Sequence, residues 1–145
     1  MADNNAINLE ALNVEQLNQL KVQLENELKQ YANSYAGLRQ ANARFQESKT
    51  SLEALQTTKV GQDIYIPLTP SMYVPGQLSD VSKVLVDVGT GYYVEKSVPE
   101  ASAFMERKMT FLQGNTTSLM DLMEGKRSDL QSVIAFMQQK LKSNH

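Results

Sequence analysis

Few side chains in this chain could act as nucleophiles or bind a transition metal. The sequence has no cysteine, and its one histidine is the last residue, His145. A Ser/His/Asp or Cys/His nucleophile needs an oriented imidazole, and a zinc site needs several Cys or His ligands. The composition therefore argues against these enzymes and against zinc, and the lack of cysteine suits a reducing compartment.

Two features in the middle of the chain resemble fragments of enzyme motifs. Asp87 and Glu95 could be imagined as a general acid and base, and residues 89–91 form a G-x-G run. The G-x-G run does not continue as a dinucleotide-binding fingerprint, because the third glycine would fall at Val94. No pocket is predicted around the two carboxylates, as general acid–base catalysis would require. We interpret the glycines as a turn and the carboxylates as solvated charges, and we expect no catalysis and no cofactor.

The overall composition is that of a water-soluble folded protein. The chain has 145 residues, of which 41% are hydrophobic and 21% charged, with a net charge of −2. The start lacks a basic leader and the longest apolar run covers residues 133–137, so neither a signal peptide nor a membrane span fits. Basic residues do not cluster, which argues against a nucleic-acid partner. We expect one domain over residues 1–145.

Residues 1–60 and 98–145 carry apolar heptad repeats and are predicted to form two long helices. All four prolines lie outside the helical interiors, between residues 67 and 99. One row of each repeat is mostly apolar and its companion row is partly polar, which is typical of a coiled-coil seam. The rows begin at Leu17 and Val14 in the first helix and at Met105 and Met109 in the second.

Helices of similar length favour antiparallel pairing. With Lys59 and Ser97 at the base of the pair, the register places Lys49 beside Glu106. Polar residues at seam positions select one register at some cost in stability. Ser97 and Glu100 have the spacing of a capping box, so the second helix is expected to begin beside them.

The middle segment, residues 61–97, alternates apolar and polar side chains with the period of two that strands require. We predict four short strands in two hairpins, with turns at residues 69–71 and 89–91, where glycine supplies a positive φ. The predicted fold class is α+β and mainly α. It is a long antiparallel coiled-coil hairpin with two β-hairpins at its base.

Two hairpins of this size cannot close a core, and their free edges would promote aggregation. We therefore expect other subunits to complete the sheets. Two phenylalanines one position off the seam of the second helix are expected to pack against the same β body. The predicted assembly residues are Ile64, Ile66, Leu68, Met72, Val74, Val84, Val86, Val88, Tyr92, Val94, Phe104 and Phe111.

Near the free ends of both helices, apolar residues depart from the seam, which predicts an exposed apolar tip. Such a tip would hold unfolded chains through the hydrophobic effect, weakly alone and strongly when several tips act together. The predicted client-binding residues are Leu9, Leu12, Val14, Leu17, Leu20, Val133, Ile134, Phe136, Met137 and Leu141.

Two runs in the middle segment are distinctive: Tyr-Val-Pro-Gly at 73–76 and Asp-Val-Gly-Thr-Gly-Tyr at 87–92. With their surroundings they resemble the α-class subunits of prefoldin, while the helices match only in pattern and length. The resemblance implies a hetero-hexamer with one further α-class and four β-class subunits, built on a double β-barrel that carries six coiled coils. It also implies that the tips hold unfolded actin and tubulin and pass them to the group II chaperonin of the cytoplasm without ATP. The sequence leaves a nuclear pool open.

Two kinds of function fit these features. One is a client-holding co-chaperone, and the other is a coiled-coil scaffold or tether that assembles through the same hairpins and binds folded partners along its helices. Heptads and hairpins specify assembly and not purpose. The off-seam apolar residues at the tips favour the co-chaperone, and an enzyme is the least supported.

Overall fold

The computed structural model describes residues 8–143, which leaves His145 outside the description. In chain order the elements are a 3₁₀-helix (Leu9–Ala11), α1 (Val14–Gln56), β1 (Asp63–Thr69), β2 (Met72–Gln77), β3 (Lys83–Gly89), β4 (Tyr92–Ser97) and α2 (Val98–Ser143). The described strands form two separate antiparallel hairpins, β1–β2 and β3–β4. The predicted fold class is confirmed.

Contacts group the described residues into two compact units. The helical unit consists of residues 8–39 and 114–143, and the hairpin unit consists of residues 40–113. Both long helices contribute to both units. Each unit has its own cluster of buried apolar side chains.

Burial along the helices follows the predicted heptads. Leu17, Leu24 and Leu52 are buried in α1, and Met123 and Val133 are buried in α2. The remaining seam positions are buried or partly buried, whereas most positions between them are exposed. This narrow stripe is the pattern of a coiled-coil seam, and it confirms that prediction.

α1 begins at Val14 rather than near the start of the chain, so Leu9 and Leu12 precede it. The boundary is a capping box that the sequence analysis missed. The backbone N–H of Gln16 donates to Asn13 Oδ1 at 2.8 Å, and the backbone N–H of Asn13 donates to Gln16 Oε1 at 3.1 Å. This reciprocal pair satisfies N–H groups that an α-helix leaves without partners at its first turn.

The start of α2 and the end of α1 also have local causes. At α2, the backbone N–H groups of Glu100 and Ser97 donate to Ser97 Oγ and Glu100 Oε2, both at 3.3 Å, which confirms the predicted capping box. α1 ends at Gln56, four residues before the predicted limit. The hydroxyls of Thr57 and Thr58 both donate to the carbonyl of Ala54, which competes with continued helical bonding.

Both hairpins have two-residue turns. Thr69 pairs with Met72 across the first turn, and Gly89 pairs with Tyr92 across the second. In the second turn Thr90 has φ +50° and Gly91 φ +79°, the two positive values that a type I′ turn requires. The predicted turn chemistry at residues 89–91 is therefore confirmed.

Candidate functional site

The second hairpin is anchored to the helices of the hairpin unit. Val86 on β3 is 4% exposed and belongs to one buried cluster with Leu52, Val98 and Ala101, the base cluster. Val84 and Phe104, two further predicted assembly residues, are partly buried against the same cluster. Val86 thus lies inside this chain's own core and not at a surface that another subunit could reach.

The reason for this placement is the face on which Val86 lies. Val84 and Val86 are two residues apart on β3, so they project from the same side of the hairpin. That side packs on the helices, because they provide the nearest apolar surface. Sequence alternation identified the face correctly but could not say whether the chain itself or a neighbour covers it.

The other predicted assembly residues remain uncovered to differing degrees. Ile64 is partly buried, and Phe111 on α2 is 65% exposed. The remaining predicted residues of the hairpins are all exposed, namely Ile66, Leu68, Met72, Val74, Val88, Tyr92 and Val94.

Sequence reasoning missed large apolar side chains on the opposite faces of the hairpins. Tyr65 is 76% exposed and Leu85 is 70% exposed, and Tyr73 and Tyr93 are exposed as well. The signal was present, because strands buried on both faces read as nearly continuous apolar runs instead of alternating ones. The first hairpin therefore offers apolar surface on both sides, and the second hairpin offers it on the side that carries Leu85.

The strand edges offer a second kind of contact. Each sheet has two strands, so within residues 8–143 every strand has one edge without a hydrogen-bonded neighbour. Unpaired backbone N–H and C=O groups at an edge can accept a strand from another chain. The free strand edges and the exposed apolar faces are both suited to pairing with other subunits.

A groove of about 610 Å³ runs beside β3 in the hairpin unit. Its lining includes the apolar Phe45, Val88 and Met105 and the basic Arg44 and Lys108. The ring of Phe104, which also lines the groove, lies near two ammonium groups. Lys96 Nζ is 5.6 Å and Lys108 Nζ is 5.5 Å from its centroid, distances suited to cation–π attraction.

The helical unit contains the second candidate surface. Leu17, Leu24 and Val133 form its buried cluster, which we call the tip cluster. Leu17 and Val133 are fully buried, so in this conformation they serve seam packing and no client could contact them directly. The apolar side chains packed partly buried around this cluster are Leu9, Leu12, Leu20, Leu130, Phe136 and Met137.

The three remaining predicted tip residues keep some accessible surface. Val14 and Ile134 are partly buried, and Leu141 is 51% exposed. Leu130, which the sequence analysis did not include, packs on the tip cluster at a seam position. The structure thus brings most of the predicted tip residues into one cluster that is only partly open to solvent.

Charged groups flank the seam of the helical unit. Lys126 Nζ lies 2.8 Å from Glu27 Oε2, an oxygen shielded from solvent for which this ammonium supplies the compensating charge. The ammonium holds the pKa of the Glu27 carboxyl below its ordinary value, aided by a hydrogen bond from Gln23. The same contact raises the pKa of Lys126. The two groups therefore stabilise each other as ions.

The two features of the middle segment that resemble enzyme motifs have structural roles. The G-x-G run forms the second hairpin turn, and Asp87 Oδ1 accepts a hydrogen bond from the backbone N–H of Gly89 at 2.9 Å. Among residues 8–143, no three or more His, Asp or Glu side chains gather as a metal site would require. A search of the same residues for a helix with enough length and apolar character to cross a bilayer found none.

Comparison with known proteins agrees with this architecture. A family model described as prefoldin subunit matches residues 24–143. The chain is 40% identical over 136 residues to prefoldin subunit 5 of Homo sapiens, covering 94% of this chain and 88% of that protein. It is 39% identical over 139 residues to probable prefoldin subunit 5 of Schizosaccharomyces pombe, covering 94% of this chain and 90% of that protein.

A solved structure shares the fold. A chain of the cryo-EM structure of filamentous PFD from Methanocaldococcus jannaschii superposes with a TM-score of 0.73 and covers 81% of this chain and 98% of its own length. Its sequence identity to this chain is 19%, so this likeness concerns the fold alone.

Proposed function

The chain belongs to the prefoldin family, and from that premise we propose that it is a subunit of a hetero-hexameric prefoldin co-chaperone. In this proposal one further α-class subunit and four β-class subunits complete the complex. The complex holds unfolded proteins, actin and tubulin among them, and passes them to the group II chaperonin of the cytoplasm without ATP.

The observation that carries the assembly proposal is the exposed apolar surface of the hairpins. Both faces of the first hairpin and one face of the second carry large uncovered side chains, such as Tyr65 and Leu85. Monomeric soluble proteins rarely expose large apolar patches, so these side chains favour a partner that covers them. Pairing with strands of neighbouring subunits would cover these side chains and the free strand edges together.

Native mass spectrometry of the complex purified from its source tests this assembly. We expect a mixed hexamer of similarly sized chains, and a homodimer would contradict the proposal. The substitution Leu85→Asp places a charge on an exposed side chain of β3, so we expect it to block assembly without unfolding the chain. Leu122→Asp is the matched control, because Leu122 is an exposed leucine on α2 in the helical unit.

A charge at Val86 has a different expected effect. Val86 is buried against this chain's own helices, so Val86→Asp should destabilise the base cluster itself. Circular dichroism and urea unfolding separate the two cases. Leu85→Asp should retain the unfolding midpoint of the unmodified chain, and Val86→Asp should lower it.

The tip cluster supports the client-binding part of the proposal. Ile134, Phe136 and Leu141 are apolar side chains at the end of α2 that are at least partly accessible. Each can contribute up to about 1.5–3 kcal/mol when fully covered by a client. Several tips acting on one client would multiply these modest affinities, which suits capture followed by stepwise release.

Substitution of these three residues by serine tests client binding. We expect the triple variant to assemble normally but to suppress the aggregation of diluted, guanidinium-unfolded actin poorly. The control replaces Val22, Met120 and Leu122, three exposed apolar residues elsewhere in the helical unit, by serine. If the tip variant protects actin as well as the control does, a scaffold or tether function is the better explanation.

Delivery is tested separately. Radiolabelled actin bound to the complex should move to purified group II chaperonin on a native gel in the absence of ATP. Actin that stays with the complex at saturating chaperonin would contradict the delivery step while leaving client capture intact.

A further inference from the structure

The segment before α1 lies on the tip cluster as a bound peptide would. Leu9 and Leu12 are three residues apart at a 3₁₀-helix, so their side chains share one side of it. Both pack, partly buried, against the cluster of Leu17, Leu24 and Val133. Glu10 and Ala11, the two residues between them, are exposed.

A lysine from the opposite helix holds the main chain of this segment. Lys140 Nζ donates to the carbonyl oxygen of Glu10 at 2.9 Å and also to that of Leu12. An ammonium group has three donors and no acceptor, so it can serve two carbonyls at once. Because both acceptors are backbone atoms, this contact does not depend on which side chains the segment carries.

The segment is held by few interactions of its own. Its 3₁₀-helix has three residues, and its backbone bonds run from Ala11 N to Asn8 O at 3.1 Å and from Leu12 N to Leu9 O at 3.4 Å. Such a short turn is marginal in isolation. It also lies outside α1, whose backbone hydrogen bonds begin after the N-cap residue Asn13. The segment can therefore detach without unfolding either long helix.

We propose that residues 9–12 are an internal ligand of the client-binding site, which an unfolded client displaces. The proposal rests on the function proposed above and names the chemistry that the tip recognises. A client segment would present two apolar side chains one turn apart to the tip cluster, and two of its backbone carbonyls would accept hydrogen bonds from Lys140. Recognition through backbone carbonyls and generic apolar side chains fits a protein that must bind many unfolded sequences.

This arrangement changes the role of Leu9 and Leu12. Their positions off the seam predict that they bind clients, whereas an internal ligand competes with clients. The apparent affinity for a client is then reduced in proportion to the fraction of tips that remain free. Removing the two leucines should strengthen client capture instead of weakening it.

The test compares two double variants of the full chain within its assembled complex. Leu9→Ser with Leu12→Ser removes the apolar contacts of the segment, while Glu10→Ser with Ala11→Ser changes its exposed positions and serves as the matched control. The affinity for guanidinium-unfolded, fluorescently labelled actin is measured by titration. We expect the first variant to bind about fivefold more tightly than the unmodified chain, and the control to be unchanged.

Each other outcome has a defined meaning. Weaker or unchanged binding by the Leu9/Leu12 variant overturns the internal-ligand proposal but leaves client capture by the tips standing. If neither the unmodified chain nor any variant binds unfolded actin, the proposed function itself fails. Hydrogen exchange of residues 9–12 shows independently whether the substitutions released the segment, since released amides exchange faster.

Lys140 is tested in the background that lacks the two leucines, where its only expected role is toward the client. Lys140→Ala removes the donor and should weaken actin binding about fivefold, the factor that a net hydrogen-bond contribution typically makes in an equilibrium. Lys142→Ala makes the same change at an exposed position two residues further on and should have no effect. Equal binding by the two variants would overturn the role of Lys140 as a donor to client carbonyls.

Discussion

Lys49 and Glu106 are 57 residues apart in the sequence, and Lys49 Nζ lies 2.6 Å from Glu106 Oε2 across the paired helices of the hairpin unit. The heptad register predicts this pairing, and the contact confirms it. Glu106 raises the pKa of Lys49 by accepting its hydrogen bond. Since Lys49 is a polar residue at a seam position, its pairing with a carboxylate on the facing helix is specific to one register.

Exchanging the two charges tests this register. Lys49→Glu alone places two carboxylates together and should lower the melting temperature by roughly 2–4 °C. Adding Glu106→Lys should restore most of the loss, because the pair is rebuilt with its charges reversed. Differential scanning calorimetry of the single variants and the double variant measures the coupling. Strictly additive effects would show that the two side chains do not interact in solution.

The ion pair of Glu27 and Lys126 should make stability depend on pH. The folded state lowers the pKa of Glu27 from 4.5. The contribution of Glu27 to the free energy of unfolding is therefore present above pH 4.5 and is lost as pH falls through the lowered pKa of the folded state. Lys126 behaves oppositely, because the folded state raises its pKa from 10.5. Its contribution to the free energy of unfolding is lost only as pH rises through this raised pKa. The pair therefore stabilises the chain throughout the neutral range.

Glu27→Gln removes this charge while keeping the shape of the side chain. At pH 7 we expect a loss of about 1 kcal/mol in the free energy of unfolding, measured in urea. The difference from the unmodified chain should vanish under acid conditions, where Glu27 is protonated in both states. Glu25→Gln is the control, because Glu25 meets Lys21 at 3.8 Å and is more exposed. A constant difference at every pH would contradict the assignment.

The capping box at the start of α2 should be worth about 1 kcal/mol. Ser97→Ala removes the acceptor for the backbone N–H of Glu100, and we expect the free energy of unfolding to fall by that amount. Ser97→Asp supplies another acceptor and should retain most of the stability. If alanine and aspartate prove equivalent in urea unfolding, the cap does not stabilise the helix.

The turn between β3 and β4 offers a stabilising substitution. Thr90 is a β-branched residue at φ +50°, a conformation that asparagine tolerates better. Thr90→Asn creates the Asn-Gly pair favoured in type I′ turns and should stabilise the hairpin by about 0.5–1 kcal/mol. Gly91→Ala, at φ +79°, should destabilise it by a similar amount. Thermal unfolding of both variants checks the opposite signs.

Much of the architecture could be predicted from local patterns. The heptad spacing identified the seam, the alternation identified the four strands, and the Ser97/Glu100 spacing identified the start of α2. The start of α1 was missed because its capping box uses Asn13 and Gln16, a less common pair than Ser and Glu. The second apolar face of the hairpins was missed because charged residues such as Asp63, Asp87 and Glu95 lie on it between the apolar side chains.

The sequence by itself determined the elements of this protein and the register of its helices, since these depend on the periodicities of 3.5 and 2 that backbone geometry imposes on side chains. Only the tertiary structure decided that Val86 lies in the chain's own core. It also decided that Leu9 and Leu12 pack on the tip cluster and that Lys140 donates hydrogen bonds to the backbone of their segment. These contacts join segments that are distant along the chain. Local sequence patterns identify apolar surfaces, but three-dimensional packing decides which of these surfaces cover each other.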